Sequence, residues 1–158
     1  MHRFIALFVL VLQVVATDTS IRAAEPDLTA IVGDGIKYLR SQQADDGSFS
    51  SFAGTGVTSL VATALLRNGV SPDDPLVAKA IEYLEGKAHT NGGIYAEGSN
   101  HRNYETCLAV LCFTEANRDG KYDKLLKKCD AYLKRLQWNE QEGHETTSTR
   151  YGEARYNQ

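Results

Sequence analysis

Three cysteines, three prolines, one tryptophan and one methionine are all that this 158-residue chain holds of those residue types. Three thiols cannot build a disulfide framework, and the odd count leaves at least one free or intermolecular. Scarce proline, 13 glycines and a 42% hydrophobic content exclude the disordered and collagen-like classes. An excess of basic charge is also lacking. Lys and Arg number 17 against 20 Asp and Glu, a net of −3. A nucleic-acid partner is therefore not expected, because such domains carry a basic patch. Signatures of catalysis are missing too. There is no phosphate-binding glycine loop, no Gly-x-Ser-x-Gly elbow and no His-Glu-x-x-His pair. The length fits about one domain.

One long apolar run is present. Phe4 to Ala16 reads FIALFVLVLQVVA, interrupted only by Gln13 and preceded by Arg3. At 13 residues it falls short of the roughly 20 needed to cross a bilayer. A short positive region followed by such a run reads as a signal peptide, cleaved after Ala16 or near Ala23-Ala24. The expected product is exported, to the periplasm or beyond, and carries no transmembrane span. The chain then divides into a signal peptide over 1–23, a repeat domain over 24–144 and a polar tail over 145–158.

The repeat is legible in the pairs Tyr38-Leu39, Tyr83-Leu84 and Tyr132-Leu133, spaced by 45 and 49 residues. Each sits near the end of an amphipathic helical pattern. In the first, Leu28, Ile31, Val32, Ile36 and Leu39 share a face. In the second, Val77, Ala80, Ile81 and Leu84 do so, and in the third, Leu125, Cys129, Tyr132, Leu133 and Leu136. Asp27, Asp74 and Asp119 precede these helices as expected N-caps. Between them lie two apolar stretches, VTSLVATALL from Val57 and CLAVLCF from Cys107. A helix that is apolar all round is expected to be buried all round. No convincing period-two alternation occurs. The fold class is all-α, built of stacked αα-hairpins that alternate outer amphipathic and inner apolar helices. Gly47 and Gly92, each nine residues past its tyrosine, are expected to turn the chain inward.

These residues resemble the prenyltransferase and squalene-oxidase repeat, the unit of terpenoid-cyclase and protein-prenyltransferase α/α toroids. Its motif runs aromatic–Leu, three residues, Gln, three residues, Gly, one residue, Trp. Tyr38, Leu39, Gln43, Gly47 and Phe49 follow that spacing, with Phe for Trp. Tyr83, Leu84, Gly92 and Ile94 follow it in degraded form, with Ala88 in the Gln place. Tyr132, Leu133 and Gln137 begin a third copy, which loses register because Gln141 stands where Gly should. The resemblance implies that the domain is part of an α/α toroid, similar to single-toroid, signal-bearing members found in bacteria. The motif residues read as staples between outer helices, not as catalysts. Gln is suited to hydrogen-bonding backbone groups at a neighbouring helix end.

The resemblance also says what to look for. A cyclase-like Asp-x-Asp-Asp acid is absent; Asp45-Asp46 and Asp73-Asp74 read as turn and capping residues. Prenyltransferase-like zinc would have to use Cys107, His101 and His144, whose spacing does not suit a metal site, so no metal or cofactor is expected. The Gly-Cys-Gly-Glu-Gln thioester motif is missing. Cys107, Cys112 and Cys129 read as buried free thiols, with a disulfide from Cys129 as the alternative. The most suggestive polar cluster is Asn100 to Thr106, at the expected mouth of an inner helix. His101, Arg102, Tyr104 and Glu105 are its candidate site residues; the bland alternative has Asn103 as a cap and His101 in solvent. The equivalent stretch one repeat earlier, Gly54 to Thr58, carries no charge.

The resemblance implies that a closed toroid needs five or six hairpins, roughly 250–300 residues at this period. Two hairpins and a third outer helix are visible, so the chain reads as a fragment with exposed inner faces, and self-association through them is expected. The functional expectation is an exported repeat protein, non-catalytic in this chain. The alternatives are an isoprenoid cyclase or transferase whose catalytic residues lie elsewhere, and a binding or scaffolding module using its inner face. A hydrophobic isoprenoid is the ligand that the resemblance implies.

Overall fold

The structure is a computed structural model that describes residues 27–140 and 143–153. The signal-peptide reading of 1–23 and both cleavage positions lie outside these residues. Among the described residues five α-helices follow one another: α1 (Leu28–Gln42), α2 (Gly56–Arg67), α3 (Pro75–Glu85), α4 (Arg102–Ala116) and α5 (Asp123–Leu136). A short 3-10 turn, Ser51–Ala53, precedes α2. Among the described residues the one extended pairing is an isolated bridge between Ala88 and Ile94. The class is all-α. No helix among the described residues is long and apolar enough to cross a membrane.

Two of the three expected caps form. Asp27 accepts from the amides of Thr29 and Ala30, and Asp74 accepts from Leu76 N ahead of Pro75 at N1. Asp119 does not cap α5. Its carboxylate is spent on Lys121 N inside the preceding turn, while Asn117 receives Tyr122 N and donates to Asp123. The apolar stretches are also longer as helices than as hydrophobic runs. α4 starts at Arg102, so the polar residues Arg102 to Thr106 are its first turn rather than a loop.

α2 and α4 pack directly on each other, α3 packs on α2, and α5 packs on α4. Thr55 at the start of α2 meets Glu105 at the start of α4, and Arg67 at the end of α2 pairs with Glu115 at the end of α4, at 2.8 Å. α2 and α4 therefore run parallel. Ala62 and Leu65 of α2, Leu76, Val77, Ala80, Ile81 and Leu84 of α3, Ala109, Cys112 and Phe113 of α4, and Cys129 of α5 form one core.

The turn before each inner-type helix is built identically. Gly47 N bonds to Ala44 O and Ala44 N to Ser48 O; Gly92 N bonds to His89 O and His89 N to Gly93 O. Asp46 accepts from Ser48 N, and Asn91 from Gly93 N. Gly47 and Gly92 both have positive φ, 85° and 94°. A Cβ at either would collide with a carbonyl of the next amphipathic helix, that of Lys79 or of Lys128. The backbone at the motif's aromatic position is then held by a threonine of the following helix. Phe49 N donates to Thr58 Oγ1 at 2.9 Å, and Ile94 N to Thr106 Oγ1 at 3.1 Å. Gln43 donates to Gly47 O and, at 2.8 Å, to Leu76 O in the first turn of α3. Ala88 has no such reach, and Arg135 instead donates to the Asn91 carbonyl there.

The third copy does not lose its turn. Trp138 N donates to Glu153 O, the bond that Ala44 and His89 make one residue past the Gln position, and Gly152 has φ 82°. Gln137 reaches Gly152 O at 3.5 Å, as Gln43 reaches Gly47 O. Gly152 is thus the counterpart of Gly47, displaced by an insertion. The insertion folds on Trp138, which His144 stacks against at 4.6 Å and Arg150 covers at 5.1 Å. Residues 145–153 of the expected tail belong to this turn.

The inner helices are not covered all round, and part of the inner face is exposed as expected. Leu60 of α2 and Leu111 of α4 are 47% and 44% exposed. α1 is uncovered over most of its apolar face, and no residue of it is buried. Ile31 is 57% exposed where its counterpart Leu76, 45 residues on, is 2% exposed. The physical reason is the same in each case: α2 covers α3, and α4 covers α5, but no described helix occupies the equivalent place against α1 or beyond α4. Cys107 is exposed rather than buried, and all three cysteines are free thiols.

Candidate functional site

The first turns of the two parallel helices converge on one carboxylate. Glu105 is 3% exposed. Its Oε2 accepts from Thr55 N at 2.9 Å, from the Thr55 hydroxyl at 2.8 Å and from Ala96 N at 2.9 Å. Its Oε1 accepts from the Ser99 hydroxyl. Gly54 lies flush against it, so close that a Cβ there would sit 2.7 Å from Oε1. Burial pushes the Glu105 carboxyl up, but the hydrogen bonds from Ser99, Thr55 and Ala96 outweigh it, and the pKa falls below the ordinary glutamate value. The N-terminal ends of α2 and α4 both favour the negative charge. Glu105 is therefore an ionised carboxylate held entirely by neutral donors.

That arrangement joins two stretches that the sequence presents as separate. Gly54 to Val57 lacks charge because the charge at that place comes from α4, 50 residues further on. A cavity of about 260 Å³ opens beside the junction, lined by Ala53, Gly56, Val57, Leu60, His101, Tyr104 and Glu105. Ala53, Gly56, Val57 and Leu60 give it an apolar part, and His101, the Tyr104 hydroxyl and the Glu105 carboxylate a polar one. A more open and more polar depression of about 520 Å³ lies behind it along Ser51–Gly54 and Ala96–His101.

Three of the four candidate residues, His101, Tyr104 and Glu105, share this cavity. Arg102 does not. Its Nε donates to Ser99 O at 3.0 Å, and its guanidinium lies 5.3 Å from the Tyr95 ring. There it joins a separate aromatic stack in which His89 lies 3.9 Å from Tyr95, and Tyr132 lies 6.1 Å from it. Asn103 is not the cap of α4; it is inside the helix, accepting from the Cys107 thiol at 3.4 Å. His101 occupies the N-cap position without a side-chain cap bond, and Ser99 accepts from its amide just ahead of the helix.

Glu105 does not have the geometry of a general acid. A general acid needs a proton to give and a raised pKa. Glu105 has neither, since both oxygens are occupied and its pKa is lowered. Asp45 and Asp46 stand in the first turn, where Asp46 accepts from Ser48, and Asp74 caps α3 while pairing with Arg40 at 3.0 Å. Cys112 and Cys129 are buried thiols pushed up to about 12 and about 11 by their surroundings, far from thiolate chemistry. Among the described residues no three His, Cys, Asp or Glu side chains cluster as a metal site would. Sequence reasoning missed Thr55, Ala96 and Ser99 as the partners of Glu105, and no spacing signal marks them. No family model, no curated protein and no solved structure matches this chain.

Proposed function

We propose that this chain is an exported, non-catalytic repeat protein of the prenyltransferase and squalene-oxidase repeat type, forming part of an α/α toroid, and that it binds an apolar, isoprenoid-like ligand on its inner helices. The observation that carries this reading is the cavity between Leu60 and Tyr104. Most of its lining is apolar, and the Glu105 carboxylate in its wall is consumed by structural hydrogen bonds. Small-molecule sites are typically concave and mostly apolar, with a few fixed polar groups. The toroid part of the proposal is supported by the two turns with matching bonds and by the parallel run of α2 and α4.

Displacement of a hydrophobic fluorophore by squalene or farnesyl diphosphate tests the reading. Saturable displacement that is lost in Leu60→Asp, with no product by mass spectrometry, is expected. Failure of either ligand to displace the probe rejects the binding role. Turnover of either compound rejects the non-catalytic one.

A further inference from the structure

The cavity beside Gly56 and the open depression behind it share Ala53, His101 and Glu105 in their walls, and so meet at the Glu105 junction. Val57 and Leu60 make one end apolar; Ser51, Glu97, Ser99 and Asn100 make the other polar. The carboxylates of Glu97 and Glu105 both stand at the polar end, and no Lys or Arg among the described residues lines either part. Arg102, in the same helical turn as Glu105, is engaged elsewhere. It donates to Ser99 O at 3.0 Å and lies over the Tyr95 ring. Glu105 also stands where an anion would otherwise bind. The start of a helix attracts negative charge, and here the starts of α2 and α4 meet. The Glu105 carboxylate fills that point. It takes the amide and hydroxyl of Thr55, the Ala96 amide and the Ser99 hydroxyl. Gly54 closes against it so tightly that a Cβ there would overlap the carboxylate. These donors, which could recognise a phosphate, are satisfied from within the chain.

We infer that this groove, taken as the ligand site proposed above, selects an isoprenoid-like alcohol and discriminates against the diphosphate of the same tail. The inference rests on the binding role already proposed and adds the chemistry of the ligand's head. The tail lies along Val57 and Leu60, and the head lies where the two depressions meet. An uncharged hydroxyl there can donate to the Glu97 carboxylate on the exposed rim. A diphosphate at the same place sets several negative charges against two carboxylates with no Lys or Arg between them. Like charges placed together in a partly desolvated groove repel, and such contacts exclude the wrong partner. The helix starts offer it no compensation, because Glu105 already holds them. Head selectivity is thus set by an anion that the chain supplies itself.

The experiment measures displacement of a hydrophobic fluorophore from the full chain by farnesol and by farnesyl diphosphate, which differ in the head alone. It is run at about pH 8, where imidazoles carry little charge. Farnesol is expected to displace the probe at a concentration at least about tenfold lower. Hydrophobicity alone also favours the alcohol, so salt and a variant carry the decision. Repulsion between like charges is screened by salt, so the ratio of the two concentrations should shrink as NaCl rises from about 0.05 M to about 0.5 M. Glu97→Lys puts a cation on the exposed rim and should shrink the ratio at low salt by at least about threefold. Circular dichroism establishes that the variant is folded. Equal or tighter displacement by the diphosphate overturns the inference and leaves the binding role standing. So does a ratio that grows with salt, or one unchanged in folded Glu97→Lys. Displacement by neither compound rejects the binding role itself, and the inference with it.

Discussion

The Glu105 carboxylate takes both the amide of Thr55, at 2.9 Å, and its hydroxyl, at 2.8 Å, and so fastens the first turn of α4 to the start of α2. Two further donors, Ala96 N and the Ser99 hydroxyl, bring the loop before α4 to the same point. Replacing the side chain leaves several buried donors without an acceptor. Glu105→Ala should cost about 3–5 kcal/mol, and Glu105→Gln, which keeps one acceptor oxygen, about 1–3 kcal/mol. Urea unfolding at neutral pH measures both. A loss below about 1 kcal/mol for the alanine variant would mean that the junction is not holding the fold.

The same residue sets a pH dependence. The folded-state pKa of Glu105 lies below its ordinary value of 4.5. The folded protein therefore prefers the ionised form more strongly than the unfolded chain does. That contribution is complete above about pH 4.5 and is lost as pH falls through the lower, folded-state value. Thermal unfolding scans between pH 7 and pH 3 should show a midpoint that is level near neutrality and drops in the acid range. Glu105→Gln, which cannot titrate, should begin lower and fall less steeply.

Gly47 and Gly69 have nearly the same backbone, φ 85° and 83°, but different surroundings. A Cβ at Gly69 meets nothing within 4 Å, whereas one at Gly47 drives into the Lys79 carbonyl. Gly69→Ala should cost only the left-handed strain, about 1–2 kcal/mol. Gly47→Ala adds a backbone collision on α3 and should cost roughly 1–3 kcal/mol more. Gly92→Ala, against Lys128, should behave like Gly47→Ala. Equal losses at Gly47 and Gly69 would show that the turn does not press on α3.

The helix faces and turn glycines were readable because they follow local rules. Period-3.6 stripes locate α1, α3 and α5 without any knowledge of their neighbours. Gly47 and Gly92 are conspicuous because only glycine suits a positive φ packed against a carbonyl. The junction at Glu105 was not readable. Its partners are backbone amides and hydroxyls from segments up to 50 residues away, and such donors leave no mark in residue type. The third turn was missed for a related reason. Its closure depends on backbone bonds between Trp138 and residues 152–153, and the insertion between them hides the motif's spacing. Bare inner faces on α2 and α4 were expected from the number of hairpins, but which helix covers which face was not readable, since an apolar stretch says that a face wants cover and not which helix supplies it.

The three thiols separate cleanly by environment. Cys107 is exposed, while Cys112 and Cys129 are buried and pushed up to about 12 and about 11. Titration of the native chain at pH 8 should count one reactive thiol, and titration in denaturant should count three. Even Cys107 should react more slowly than a free thiol, because burial raises its pKa as well. Rapid reaction of a second thiol would mean that the core around Cys112 or Cys129 opens readily.

Ile31 and Leu76 occupy the same position in successive repeats and make opposite predictions. Leu76 is sealed under the core that α2 and α3 share, whereas Ile31 stands on the bare face of α1 with Leu28 and Val32. A lysine at Leu76 would bury an unpaired charge, a penalty comparable to the whole stability of a domain, about 5–15 kcal/mol. Leu76→Lys should therefore abolish cooperative unfolding. A lysine at Ile31 removes only exposed apolar surface, and should leave stability within about 0.5 kcal/mol of the parent. It should also reduce self-association, because contiguous exposed apolar residues promote contact between molecules. Light scattering after size-exclusion chromatography reads the association, and urea unfolding reads the stability. If Ile31→Lys instead unfolds the chain as Leu76→Lys does, the face of α1 is covered in solution, and the difference between the two repeats disappears.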